Sequence, residues 1–223
     1  TRHSLHLIAS GSHRGFIIER QIDGPATAHI RAKINRNKAA LGREKGGTRR
    51  NRLAPPDRRC YAFFHPQMRD EPLIFVEVAL TDHVPDRIGA LLAGDRAELD
   101  PRTATTAVFY SISNCQEGLR GISFGNFLIK QVVDRLRAEF PNLRNFVTLS
   151  PVPGFMQWLN KATDAPLTDE DRALLKQLDE PKWFDDADLT AQLRVLLEPL
   201  AAYDFLKART SKGRVVDQVA RFH

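Results

Sequence analysis

Between Thr105 and Phe140 the hydrophobic pattern changes from the period of a strand to that of a helix. The segment TTAVFYSIS, Thr105 to Ser113, is rich in β-branched and aromatic residues and free of Gly and Pro, which predicts a buried strand. Phe124, Phe127, Leu128, Val132, Leu136 and Phe140 then recur at spacings of three and four, with Lys130, Asp134, Arg135 and Glu139 on the other face. That spacing predicts an amphipathic helix, ended by Pro141 because the residue before a proline is pushed out of helical geometry. Three glycines, Gly118, Gly121 and Gly125, lie where this helix begins. Backbone N–H groups at such a turn can hold phosphate, but glycine also lets a chain turn tightly into a helix with no ligand at all. The loop QEGLRG lacks the Lys-Ser or Lys-Thr pair of a P-loop, and its glycine spacing is not GxGxxG.

Around this unit the pattern predicts further elements. Arg58 to Phe64 and Leu73 to Thr81 read as strands, and the turn formers of His65 to Asp70 make them a hairpin. A short helix is expected around Val84 to Leu92, with Ile88, Leu91 and Leu92 on one face, and a strand from Asn145 to Ser150. Antiparallel strands feeding a β-α-β crossover imply a mixed sheet with helices packed on it. Gly15 to Ile22 reads as a short strand. Beyond Pro151 the chain turns helical: Thr168 and Asp171 form a capping-box-like start for Glu170 to Leu178. Leu189, Leu193, Leu196, Leu197 and Leu200 form a second stripe, interrupted or kinked at Pro199, and these helices are expected to cover the sheet.

Composition narrows the class without naming a chemistry. At 223 residues and 42% hydrophobic the chain can bury a sizeable core, and no apolar run approaches the roughly 20 residues of a membrane-spanning helix. Cys60 and Cys115 have no metal-ligand spacing and read as packing residues in a reducing interior. The net charge of +6 suggests nucleic acid until it is located. Residues 31–52 hold nine basic side chains against Glu44, a net of +8, which leaves −2 for the rest. That distribution predicts a slightly acidic body with one solvated basic arm, and argues against a nucleic-acid partner for the body.

From roughly Pro56 to Leu159 the chain resembles the catalytic domain of the malonyl-CoA decarboxylase family, through RRCYAFFHP, EPLIFVEVALT, FYSISNCQEGLRGISFGNFLIKQVV and TLSPVPGFMQWL. The likeness resumes at LLEPLAAYDFL and DQVARFH. It implies an α+β fold of the acyl-CoA N-acetyltransferase (GNAT) type, a mixed β-sheet flanked by helices, whose glycine turn holds the coenzyme A pyrophosphate. Residues 1–52, an atypical basic segment that composition makes partly disordered, depart from the family, which has apolar helical sequence there; 53–223 is then the catalytic domain, lacking the family's C-terminal end. The coenzyme-binding positions implied are Arg120, Gly121, Ile122, Ser123, Phe124, Gly125, Asn126 and Ile129; Ser123 stands where some relatives carry glutamate.

Ser150 and His223 match the family's catalytic pair. Read without the family, a serine before proline is a common turn former and a terminal histidine is usually idle. The implied reaction turns malonyl-CoA into acetyl-CoA and CO2 in fatty-acid and malonate metabolism. It leaves charge on a thioester enolate, needs hydrogen-bond donors and a proton source, and requires no metal or organic cofactor beyond the coenzyme A of the substrate. Intact members are expected to form homo-oligomers, tetramers, in the cytoplasm, or in the mitochondrial matrix or peroxisome of a eukaryote. Because members continue past the histidine, a chain ending at His223 is expected to turn over poorly. Other readings stay open: another acyl-CoA enzyme of the same fold, such as an acyl transferase; a non-catalytic coenzyme A-binding fragment; or a protein whose arm at 31–52 binds nucleic acid or an anionic membrane.

Overall fold

Five strands form one sheet in chain order in the computed structural model, which describes residues 18–22, 27–40, 55–93, 96–119, 125–152, 154–161, 167–210, 212–217 and 219–220. Two units are distinguished, 1–150 and 151–223, dividing where the sequence turns helical. In the first unit the strands are β1 (Ile18–Gln21), β2 (Arg58–Phe64), β3 (Pro72–Thr81), β4 (Thr106–Asn114) and β5 (Asn145–Thr148). Its helices are α1 (Ala28–Ala40), α2 (Ile88–Leu92) and α3 (Gly125–Glu139). Neighbouring strands are antiparallel except β4 and β5, which run parallel with α3 between them. The mixed sheet and crossover expected of an α+β, acetyltransferase-like domain are both present.

Strands β2 and β3 are apolar almost without interruption because both faces of the sheet are covered. Tyr61, Phe63, Ile74, Val76, Val78 and Leu80 share a core with Leu128, Val132 and Leu136 of α3. On the opposite face Cys60, Ala62, Phe64 and Phe75 pack with Ile22 and with Ile30 and Ile34 of α1. The alternation follows from the two-residue period of a strand, and the β2/β3 register sets Tyr61 opposite Val76 and Ala62 opposite Phe75. Burying each such side chain contributes about 1.5–3 kcal/mol.

The helix over Ala28–Ala40 differs from the solvated arm expected for the basic stretch. Its burial rests on Ile30 and Ile34, four residues apart, and two of its cations, Arg31 and Lys33, are tied to other segments. Arg31 bonds the carbonyl of Ile22, and Lys33 donates to Asp70 O at 2.9 Å and bonds Glu71. Residues 41–52 lie outside the described residues. Helix α2 is shorter than expected, and only Leu91 of its apolar set is buried, while Ile88 and Leu92 are exposed.

The second unit builds a core of its own from α4 (Phe155–Leu159), α5 (Asp169–Lys176) and α6 (Ala187–Leu206). Phe155, Leu159 and Leu200 are buried with Trp158, Leu175, Leu196 and Leu197 around them. The capping box of α5 is present in both directions, with Asp171 N–H donating to Thr168 Oγ1 at 3.1 Å and Thr168 N–H donating to Asp171 Oδ2 at 2.8 Å. Helix α6 starts on the Asp186 side chain, which accepts from Leu189 N–H at 3.0 Å, and continues through Pro199. Among the described residues no helix is long and apolar enough to cross a membrane.

Leu136 has no exposed surface and faces the sheet from the last turns of α3. Leu136→Ala is expected to lower the unfolding free energy by about 2–5 kcal/mol, the range for a leucine whose cavity cannot fully collapse. Urea denaturation followed by circular dichroism measures it; a loss below about 1 kcal/mol would show that α3 is not anchored this way.

Candidate functional site

Strands β4 and β5 are paired along only part of their length. Thr106 to Phe109 lie opposite Asn145 to Thr148, and Leu149 N–H donates to Phe109 O at 2.9 Å as the last step of the ladder. Strand β4 then runs on through Tyr110 to Asn114, whereas the other chain turns away at Ser150 and Pro151. The cause lies in β4 itself. Val78 is opposite Phe109 and Glu77 is opposite Ser111, so Tyr110 is an extra residue, a β-bulge. A bulge bends its strand and increases the local twist, and here it falls at the position where β5 stops pairing.

Helix α3 returns the chain from the carboxyl end of β4 to the amino end of β5, so its N-terminus stands at the same end of the sheet as the opening. Its first-turn N–H groups have no intrahelical acceptor, and no acidic side chain occupies that turn. The positive end of the helix dipole is therefore not offset by an acid of that turn, the arrangement that suits an anion. The approach to the helix is fixed by short-range contacts. Leu119 is fully buried in the α3-side core, Asn114 Nδ2 donates to Leu119 O at 3.3 Å, and Gln116 Nε2 donates to Pro72 O at 3.1 Å.

Ser150 is exposed immediately beyond the last β4/β5 hydrogen bond, and Pro151 restricts it to extended geometry. Gly125, Asn126 and Ile129 lie in the first two turns of α3. Ile129 is half-buried against the core, where it packs as well as borders the entrance. Arg120, Gly121, Ile122, Ser123 and Phe124 lie outside the described residues, and so does His223. A cavity of about 300 Å³ opens at the same end of the sheet on the α1 side, lined by Lys33, Arg36, Glu71, Pro72, Cys115 and Gln116.

Three further residues shape this region without having been singled out in the sequence. Tyr110 supplies the bulge, and the Arg58 guanidinium carbon sits 5.7 Å from its ring centroid while the same group bonds the carbonyl of Leu91. Burial draws the Arg58 pKa down from its ordinary value. Asp57 has no exposed surface; it accepts from Leu99 N–H at 3.0 Å and pairs with Arg96, tying the segment before β4 to the start of β2. A sequence signal existed for Asp57, an acid between a Pro pair and an Arg pair, but none marks Tyr110 as a bulge.

The chain is similar to known proteins. Residues 15–223 match the family described as malonyl-CoA decarboxylase C-terminal domain. The mitochondrial malonyl-CoA decarboxylases of Anser anser anser and Mus musculus are each 34% identical to the chain over 77% of its length, covering 39% and 40% of their own. The chain thus spans about two fifths of the length of these curated relatives. Among solved structures, malonyl-CoA decarboxylase from Rhodopseudomonas palustris is 51% identical with a TM-score of 0.82, covering 99% of this chain and 51% of that one. The enzyme from Agrobacterium vitis is 53% identical with a TM-score of 0.86, covering 98% of this chain and 55% of that one.

Proposed function

The chain belongs to the malonyl-CoA decarboxylase family, and from that premise we propose that it carries out the decarboxylation of malonyl-CoA at the opening between β4 and β5. The observation that carries the reading is the end of β4/β5 pairing at Phe109 and Leu149, with Ser150 exposed at its mouth and the α3 N-terminus at the same end. The pyrophosphate of coenzyme A is held by backbone amides at positions 120–126, the last of them in the first turn of α3, where the helix dipole favours negative charge. The pantetheine arm enters between the diverging strands and can hydrogen-bond to backbone as an added strand does. This delivers the thioester toward Ser150.

In the reaction the bond between the malonyl α-carbon and its carboxylate breaks. CO2 departs, its bonding electron pair passes to the α-carbon and is delocalised onto the thioester oxygen, and a proton added to that carbon gives acetyl-CoA. Burying the carboxylate away from water favours the loss of CO2. A hydroxyl aimed at the thioester oxygen stabilises the developing enolate, and an imidazole with an ordinary pKa near 6.5 can carry the proton at neutral pH. We assign these roles to Ser150 and His223, the pair that the family pattern marks. Neither role requires a metal, a choice that rests on the chemistry of a β-keto-like thioester.

Ser150→Ala in the full-length protein is expected to lower kcat for release of CO2 from malonyl-CoA by about 10²–10⁴-fold, with KM changed less than about threefold. Wild-type turnover by the variant would remove Ser150 from the mechanism. A second prediction tests the opening. Deleting Tyr110 removes the bulge while leaving Phe109 and Ser111 on their present faces, so β4 should straighten and narrow the gap. Coenzyme A affinity, measured by titration calorimetry, should fall at least about tenfold, roughly 1.4 kcal/mol. Unchanged affinity in a folded variant would show that the bulge does not make the entrance.

A further inference from the structure

Arg58 carries a positive charge across the sheet to the residue that makes the opening. It stands at the start of β2 opposite Ala79 of β3, and Ala79 is opposite Val108 of β4. Side chains paired in this way share a face of the sheet. Alanine at 79 leaves the space over β3 through which the half-buried arginine reaches the Tyr110 ring, 5.7 Å from guanidinium carbon to ring centroid. Nη2 donates to the Leu91 carbonyl, whereas Nη1 is buried with no hydrogen-bond partner. The head group is thus oriented by one carbonyl and one ring.

Both contacts belong to one small apolar group. Leu91 is buried there with Ala79 and Val108, and Tyr110, Val147 and Leu149 pack against them. Helix α2 has only five residues, with no side-chain N-cap and no basic residue in its last turn. The last carbonyls of a helix need donors from elsewhere, and Arg58 supplies one. The end of α2 is thereby the point from which the guanidinium holds the ring.

What it holds decides the opening. The β3/β4 register steps from Val78–Phe109 to Glu77–Ser111 across Tyr110, and Leu149, in the same apolar group, makes the last β4/β5 hydrogen bond. Register slips where side chains do not specify it, so the position of a bulge depends on what selects the extra residue. A cation over an aromatic face selects Tyr110 in preference to the serine that follows it. An apolar side chain at 58 would cover the same ring without taking a charge out of water, but it could not tie the ring to the Leu91 carbonyl.

We propose that Arg58 is a positioning residue for the coenzyme A entrance: anchored on the Leu91 carbonyl, its guanidinium holds the Tyr110 ring and so fixes the bulge that parts β5 from β4. The role rests on the opening being the coenzyme A site. It does not depend on which side chains carry out the chemistry there, and this separates its test from that of Ser150.

The test reads coenzyme A binding to the full-length protein by titration calorimetry, with malonyl-CoA turnover beside it. Arg58→Met keeps most of the side chain's length and loses its charge and donors. Its dissociation constant for coenzyme A should rise at least about fivefold, and KM with it, while kcat at saturation stays within about twofold of wild type. Arg58→Lys, which keeps a charge and a donor, should fall between the two. Because the arginine acts through the ring, Arg58→Met in a Tyr110→Leu background should add less than about twofold to the loss that Tyr110→Leu causes alone. Wild-type affinity in folded Arg58→Met, or the same fold-loss with and without the ring, would overturn the role. Circular dichroism establishes folding, and if Arg58→Met does not fold, Arg58→Lys in the two backgrounds supplies the same comparison. Should Ser150→Ala leave turnover intact, the assigned chemistry fails while this comparison stands. Should deletion of Tyr110 leave coenzyme A affinity unchanged, the opening is not the coenzyme A site and the role of Arg58 falls with it.

Discussion

A parallel pair of strands cannot be closed by a tight turn, and this restriction organises the first unit. To lie beside β4 in the same direction, β5 must be reached by a crossover, and the crossover is α3. The crossover sets the carboxyl ends of both strands and the positive end of the helix at one end of the sheet. The Tyr110 bulge then works at that end, separating strands that elsewhere are bonded in register. The entrance is thus a consequence of topology plus one inserted residue, and its floor is held rigid by Leu128, Val132 and Leu136 packing on Val76, Val78 and Phe109.

Covering both faces of the sheet is what allows the ends to be open. Strand β3 is buried along nearly its whole length, and α1 and α3 shield it from opposite sides. Polar groups that enter this region are tied down individually. Asp57 takes Arg96 and the Leu99 N–H, and Arg58 reaches the Leu91 carbonyl across the Tyr110 ring. Such contacts cost desolvation and return little net stability, but each removes a freedom from the loops that border β4.

Much of this was legible in the sequence, and the reason is periodicity. The run TTAVFYSIS and the stripe from Leu128 to Phe140 differ so plainly in period that strand and helix could be placed to within about two residues. The hairpin at His65 to Asp70 and the capping box at Thr168 and Asp171 were readable because their turn and cap chemistry is local. Helix α1 was not legible: its two anchors, Ile30 and Ile34, stand among cations whose partners Ile22, Asp70 and Glu71 only the tertiary structure brings to them. The bulge was hidden for a related reason, since Tyr110 looks like any strand residue until the partner strand fixes the count. For the candidate site, Ser150 could be placed at the end of β5, while Arg120 to Phe124 and His223 fall outside the described residues.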